Sequence, residues 1–120
     1  MTEILETVKK LGLNEYESKA YLTLVERESA SASTVSKISL IPRARVYDVL
    51  TSLEKKGFIE RRLSKTVEYS AFSPLIVSKN IEKRKRLSFE EEIKGILNVG
   101  KILEKKTIKN KNNIFLSIMQ

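Results

Sequence analysis

Between Ile41 and Gly57 stand two arginines, Arg43 and Arg45, a tyrosine, Tyr47, the only aspartate of the chain, Asp48, and a threonine, Thr51. These are hydrogen-bonding side chains of the kind that meet base edges in a DNA groove. A guanidinium fork pairs with the two acceptors of guanine, and a short neighbour such as Ala44 lets it come close. The chemistry on offer is non-covalent. The 120 residues contain no Cys and no His, which excludes thiolate nucleophiles, disulfides, zinc clusters and imidazole bases. The Glu residues lie along helical faces beside Lys and Arg, the pattern of solvated surface, and the four Gly residues form no phosphate-binding loop. We therefore expect no enzymatic activity and no cofactor.

To be presented together, these side chains need a helix. Pro42 suits its first position, and Gly57 suits the left-handed residue just beyond its end. At 100° per residue, Val46, Val49, Leu50 and Leu53 fall on one stripe about 100° wide, with Ala44, Asp48, Thr51 and Lys55 opposite. Arg43 with Tyr47 borders one side of the exposed face, and Arg45 with Ser52 borders the other. Taken alone, this pattern fits a reading helix and an ordinary amphipathic surface helix equally well. The flanking segments decide between them.

Thr2 to Leu11 carries Ile4, Leu5, Val8 and Leu11 at helical spacing, with Thr2 as a cap and Gly12 as a stop. Asn14 caps a second helix, with Glu15 and Glu17 in its first turn and Leu13, Tyr16, Ala20, Tyr21, Leu24 and Val25 on an apolar stripe. Ser31 caps a short third helix to about Ser39, with Ala32, Val35 and Ile38 facing inward and Leu40-Ile41 as the turn before Pro42. A short helix, a tight turn and a longer exposed helix form a helix-turn-helix. Ser33, Thr34 and Lys37 are placed to touch phosphates, although each fits a plain solvent-facing position about as well. After Gly57, Phe58 to Leu63 and Val67 to Phe72 are two β-prone runs joined by Ser64-Lys65-Thr66. This hairpin has the character of a wing, and Arg61, Arg62 and Lys65 put positive charge on it.

Charge is unevenly distributed along the chain. Residues 1–41 carry a net −1, residues 42–73 a net +3 and residues 74–120 a net +6. The positive potential begins at the candidate reading helix and continues beyond it, as contact with a polyanion requires. With no apolar stretch near the roughly 20 residues of a membrane span, and no signal-like N-terminus, the expectation is a cytoplasmic protein without membrane contact.

Three segments carry a resemblance to a known family. They are Leu11-Gly12-Leu13-Asn14-Glu15-Tyr16-Glu17-Ser18-Lys19-Ala20-Tyr21-Leu22, the run from Ile41 to Leu50, and Leu53-Glu54-Lys55-Lys56-Gly57-Phe58-Ile59-Glu60. In order and character they resemble the N-terminal domain of the TrmB-like transcriptional regulators, over roughly residues 1–73. The resemblance implies a winged helix that binds promoter DNA, typically as a dimer, with Arg43, Arg45, Tyr47 and Asp48 on the DNA-reading helix. Leu40 stands where that family usually carries Gly, which points to an altered or strained turn. Full-length members of the family add a sugar-binding effector domain. This chain ends where that domain would begin, so sugar sensing is not carried over and no small-molecule ligand is evident.

Ser73-Pro74 launches a further helix, expected to run to about Thr107. Phe89, Ile93, Ile96, Gly100 and Leu103 follow the four-three spacing of a coiled-coil seam, broadened by Leu97, Val99 and Ile102. Gly95 and Gly100 mark a bend or a close backbone approach. The simplest partner is a second copy, and folding back onto the winged domain is the alternative. The basic run Lys83 to Arg86 suits either flanking DNA or a solvated helix face. Lys109 to Asn113 is a candidate break, and the apolar end Ile114 to Met119 is expected to pack in the dimer.

The expected fold is mainly α with a small β-hairpin: a winged helix-turn-helix DNA-binding domain at 1–73, then a long C-terminal coiled-coil helix at 74–120. The expected function is a homodimeric, sequence-specific regulator on double-stranded DNA. Its rivals are an architectural chromatin protein and a protein-interaction module of a larger assembly.

Overall fold

In the computed structural model, residues 2–119 are described in their backbone and residues 3–107 in full. The chain divides into two compact units, residues 1–81 and 82–120. The first contains α1 (Thr2–Lys9), α2 (Glu15–Arg27), β1 (Ser29–Ala30), α3 (Ala32–Ser39), α4 (Arg43–Lys55), β2 (Ile59–Leu63) and β3 (Val67–Ala71). The last helix, α5 (Pro74–Met119), begins in the first unit and makes up the second.

Capping decides where these helices start. Asn14 accepts the Glu17 N–H at 2.8 Å, and the Glu17 carboxylate accepts the Asn14 N–H at 3.0 Å. This reciprocal pair satisfies two N–H groups that α2 cannot bond internally and is worth about 1 kcal/mol. Ser31 accepts the Thr34 N–H at 3.2 Å to start α3, and the Ser73 hydroxyl faces the Ile76 N–H at 3.5 Å at the start of α5. Gly12, at φ +94°, turns the chain between α1 and α2.

The strands form a three-stranded antiparallel sheet in the order β1-β3-β2, with Arg61 opposite Tyr69 and Leu63 opposite Val67. The helices and the inner sheet face close over one core, which includes Leu13, Ala20, Tyr21, Leu24, Val35, Ile41, Val46, Leu50, Leu53, Phe58, Ile59 and Tyr69. At its centre Tyr21 meets Phe58 edge to face, with ring centroids 5.2 Å apart, and the Tyr21 hydroxyl donates to the Phe72 carbonyl at 3.0 Å. Burial pushes the Tyr21 hydroxyl up to about 12. Val77 and Ile81, beyond residue 73, also pack on this core, so the first turns of α5 belong to the winged unit.

Four details differ from the sequence reading. Ile38 is exposed, because Ala32, Val35, Ser36 and Ser39 form the inward face of α3 and Ile38 lies about 110° round the helix from it. Pro42 is the N-cap of α4, one residue before the helix begins. The edge strand β1 was not foreseen, since two small residues carry no alternating pattern. Its pairing with β3 is supported by the Ser70 hydroxyl, which donates to the Glu28 carbonyl at 3.2 Å. Helix α5 runs on to Met119, past the end expected near Thr107 and with no break at Lys109 to Asn113, because nothing in that polar stretch interrupts the helical backbone. The side chains from residue 108 onward, including the apolar end Ile114 to Met119, lie outside the fully described residues. Among the described residues, no helix is long and apolar enough to cross a membrane.

Candidate nucleic-acid interface

Helix α4 is held at both ends and along one face. At its start the Pro42 carbonyl accepts the N–H groups of Arg45 at 2.8 Å and Val46 at 3.1 Å. At its end Gly57, at φ +84°, lets the chain reverse, so that Phe58 N–H donates to Leu53 and Gly57 N–H to Glu54. These two bonds make a Schellman cap. Val46, Leu50 and Leu53 are fully buried and Val49 nearly so. Each such burial contributes about 1.5 to 3 kcal/mol, which seats the helix by its inner face.

The opposite face is open. Arg43, Ala44, Arg45, Tyr47, Asp48, Thr51 and Lys55 are all exposed, with Tyr47 at 52%. Arg43 reaches across to α3, where its guanidinium donates to Ser33 Oγ at 2.9 Å. This contact places Arg43, Ser33 and the exposed Lys37 on one rim. Thr34 is half-buried and its hydroxyl shares a hydrogen bond with the Ser31 cap at 3.1 Å, and Ser33 is half-buried and holds Arg43, so that Lys37 is the most open of the three. On the other rim Arg45 and Asp48 line a cleft of about 290 Å³ with Asn14, Tyr16, Glu17, Val49 and Ser52. Ser52 is not on the open face, because its hydroxyl turns inward to donate to Glu17 Oε2 at 2.6 Å.

The turn before α4 carries the expected strain. Leu40 takes the left-handed conformation, φ 57° and ψ 34°, with its side chain 81% exposed. The reversal is nonetheless well bonded, since Ile41 N–H donates to the Ser36 carbonyl at 3.1 Å and the Ser36 hydroxyl donates to the Ile41 carbonyl. Ile41 can then be buried while Leu40 faces solvent.

The pleat of the wing separates its two arginines. Arg61 shares the sheet face of Ile59 and Tyr69, towards α4, and its guanidinium lies 3.6 Å from Glu54 Oε2 of that helix. The Tyr69 hydroxyl is raised by burial, against the pull of the Arg61 charge, and Glu54 and Tyr47 add to the rise. Tyr47, Glu54, Arg61 and Tyr69 therefore form one cluster joining helix to wing. Arg62 projects from the other face, pairs with Glu60 at 3.2 Å, and lines a separate cleft with Leu24, Glu28 and Phe72. Lys65 stands exposed at the tip beside Leu63, which is 85% exposed.

Sequence reasoning missed the part played by Glu17. Its side chain is 2% exposed, and besides the cap it receives Ser52 Oγ–H and Lys56 Nζ–H, the latter at 2.9 Å. Burial pushes its carboxyl up, but the Asn14 N–H, the Ser52 hydroxyl and Lys56 together outweigh burial and hold it below the usual carboxylate value. The available signal was an Asn followed three residues later by a Glu, the mark of a capping box.

A short helix, a left-handed turn, an exposed helix seated by its inner face and a following antiparallel hairpin together constitute a winged helix-turn-helix domain. Residues 8–75 match the family described as sugar-specific transcriptional regulator TrmB. The chain belongs to that family. It is 44% identical over 79 residues to the HTH-type sugar sensing transcriptional regulator TrmBL1 of Pyrococcus furiosus, a match covering 66% of this chain and 23% of that protein. It is 38% identical over 96 residues to the DNA-binding HTH-type transcriptional repressor TrmBL2 of Thermococcus kodakarensis, covering 78% and 36% respectively. Among solved structures, TrmBL2, described as an archaeal chromatin protein with a novel mode of DNA binding, matches with a TM-score of 0.77 at 30% identity, covering 85% of this chain and 41% of that one. The chain thus spans between 23% and 36% of the length of these two curated relatives.

Proposed function

We propose that this chain is a transcriptional regulator that binds double-stranded DNA as a homodimer, by positioning and hydrogen bonding alone. The observation that carries the reading is the open face of α4, on which exposed Arg43 and Arg45 flank Ala44, Asp48 and Thr51 while the opposite face is sunk in the core. Arg43 and Arg45 are the candidates for guanine contact, and Tyr47 extends the same surface towards the wing. Ser33, Thr34, Lys37, Arg61 and Lys65 are the candidates for phosphate contact, and Arg62 adds its charge from the far side of the wing. Two such helices, one from each protomer, would enter successive major grooves about 34 Å apart on an inverted repeat. The exposed seam of Phe89, Ile93, Ile96, Leu97, Gly100 and Leu103 on α5 supports pairing of two chains. The names of the TrmBL1 and TrmBL2 relatives support the regulatory reading.

The test is a fluorescence-anisotropy titration on duplexes selected by this protein from random DNA. With six or more phosphate contacts, affinity should fall about a thousandfold or more between 50 and 200 mM salt. Salt-insensitive binding, or no binding, would remove the reading and favour a protein-interaction module.

One finding favours a second reading. The TrmBL2 structure is described as that of a chromatin protein, and its likeness covers most of this chain. A chromatin role predicts uniform coverage in footprinting, whereas a regulator protects discrete sites.

A further inference from the structure

We infer that the apolar seam of α5 pairs with a second copy of itself running antiparallel, in a register that places the partner's Ile96 over Gly100. The inference rests on the homodimer reading above and adds direction and register to it.

Phe89, Ile96 and Leu103 occupy one core position of a heptad, and Ile93, Gly100 and Thr107 the other. Within the protomer this seam is uncovered, with Phe89, Ile96 and Leu103 all more than half exposed. Gly100 stands on this seam. Apart from the adjacent backbone of its own helix, a Cβ there would meet nothing within 4 Å, and glycine weakens a helix interior. Gly95 is equally free of such contacts but lies off the seam, whereas the space that Gly100 leaves falls inside any pairing made along it.

Direction decides what fills that space. In a parallel pair like positions meet, so Gly100 faces Gly100 and the middle of the seam contains an empty layer. In an antiparallel pair the two core positions meet each other. Ile96 then lies opposite Gly100 twice, with Ile93 opposite Leu103 and Phe89 opposite Thr107 on either side, and every layer holds a large side chain. The flanking residues agree. The antiparallel register brings Leu97 against Leu97, Val99 against Val99 and Glu92 against Lys106. A parallel pair would set Leu97 beside Glu92 and Val99 beside Glu104, although it gains Lys85 beside Glu90. The antiparallel register leaves Glu90 near Glu104, an exposed like-charge pair, and such pairs are weak beside an empty core layer.

Because the chain has no cysteine, a single introduced one can be labelled cleanly. The full chain carrying Arg84→Cys, on the outer face of α5, is spin-labelled and the distance between protomers is measured by pulsed dipolar spectroscopy. With the twofold axis passing near Asn98, the antiparallel pair predicts about 45 Å and a parallel pair less than about 25 Å. Gly100→Leu gives a second reading, expected to weaken the dimer about tenfold or more by overfilling the Ile96 site, and added Ile96→Ala should restore it. A short distance with a dimeric mass, or tightening by Gly100→Leu alone, overturns the direction while leaving the homodimer intact. A monomeric mass by sedimentation removes both.

Discussion

Ser52, in the last turn of α4, donates its hydroxyl hydrogen to Glu17 Oε2, at the start of α2, across 2.6 Å. The same carboxylate caps α2 and receives Lys56 from the end of α4, so one buried acid fixes the angle between the scaffold and the helix that faces outward. Glu17→Ala should cost about 2 kcal/mol, because it strands the Asn14 N–H and the Ser52 hydroxyl together. Glu17→Gln, which keeps most of the hydrogen bonding, should cost about half as much. Lys56 is 42% exposed, so Lys56→Met should cost least. Urea denaturation of the three variants checks the order.

The same group sets an acid limit. Since the folded Glu17 carboxyl is held below its ordinary value of 4.5, its stabilisation is complete above that value and is lost as pH falls through the lower folded value. Wild-type stability should therefore decline below about pH 4.5 more steeply than that of Glu17→Gln. Parallel pH profiles by thermal melting would show the two curves converging in acid.

Leu40 and Gly57 occupy comparable left-handed positions, at φ 57° and φ 84°, with opposite residue choices. Leu40→Gly should stabilise the domain by about 0.5 to 1 kcal/mol, since the left-handed strain is relieved and an 81% exposed side chain gives up little burial. Gly57→Ala should destabilise by about 1 kcal/mol, although a Cβ there would meet nothing within 4 Å. The cost would be conformational alone. Denaturation midpoints for both substitutions provide the check.

The wing arginines should separate in DNA titrations. Arg61→Ala, on the α4 side, should weaken binding and lower the salt slope by about one unit. Arg62→Ala, which faces the other way and pairs with Glu60, should leave that slope nearly unchanged.

Local signals made much of this fold legible in advance. Asn14, Ser31 and Ser73 start helices where their side chains can accept N–H groups, Gly57 stops one, and the stripe from Val46 to Leu53 is buried as its spacing requires. What stayed hidden depended on distant partners. Glu17 looked like a solvated first-turn acid until α4 supplied Ser52 and Lys56. Ser29-Ala30 became a strand only because β3 pairs with it. Arg61 and Arg62 looked equivalent until the register assigned them to opposite faces. Apolarity alone favours Ile38 for the inside of α3, whereas Ser36 and Ser39 take the inner positions through hydrogen bonds to Ile41 and Thr23.

The central claim is that the outward side of α4 reads base sequence. Its most direct test is Arg45→Ala titrated against a selected duplex and a random duplex of equal length at one salt concentration. The account predicts a loss of about 1 to 3 kcal/mol on the selected duplex and little change on the random one. Equal losses on both would contradict it, assigning Arg45 to the phosphate backbone and leaving α4 without a demonstrated reading role.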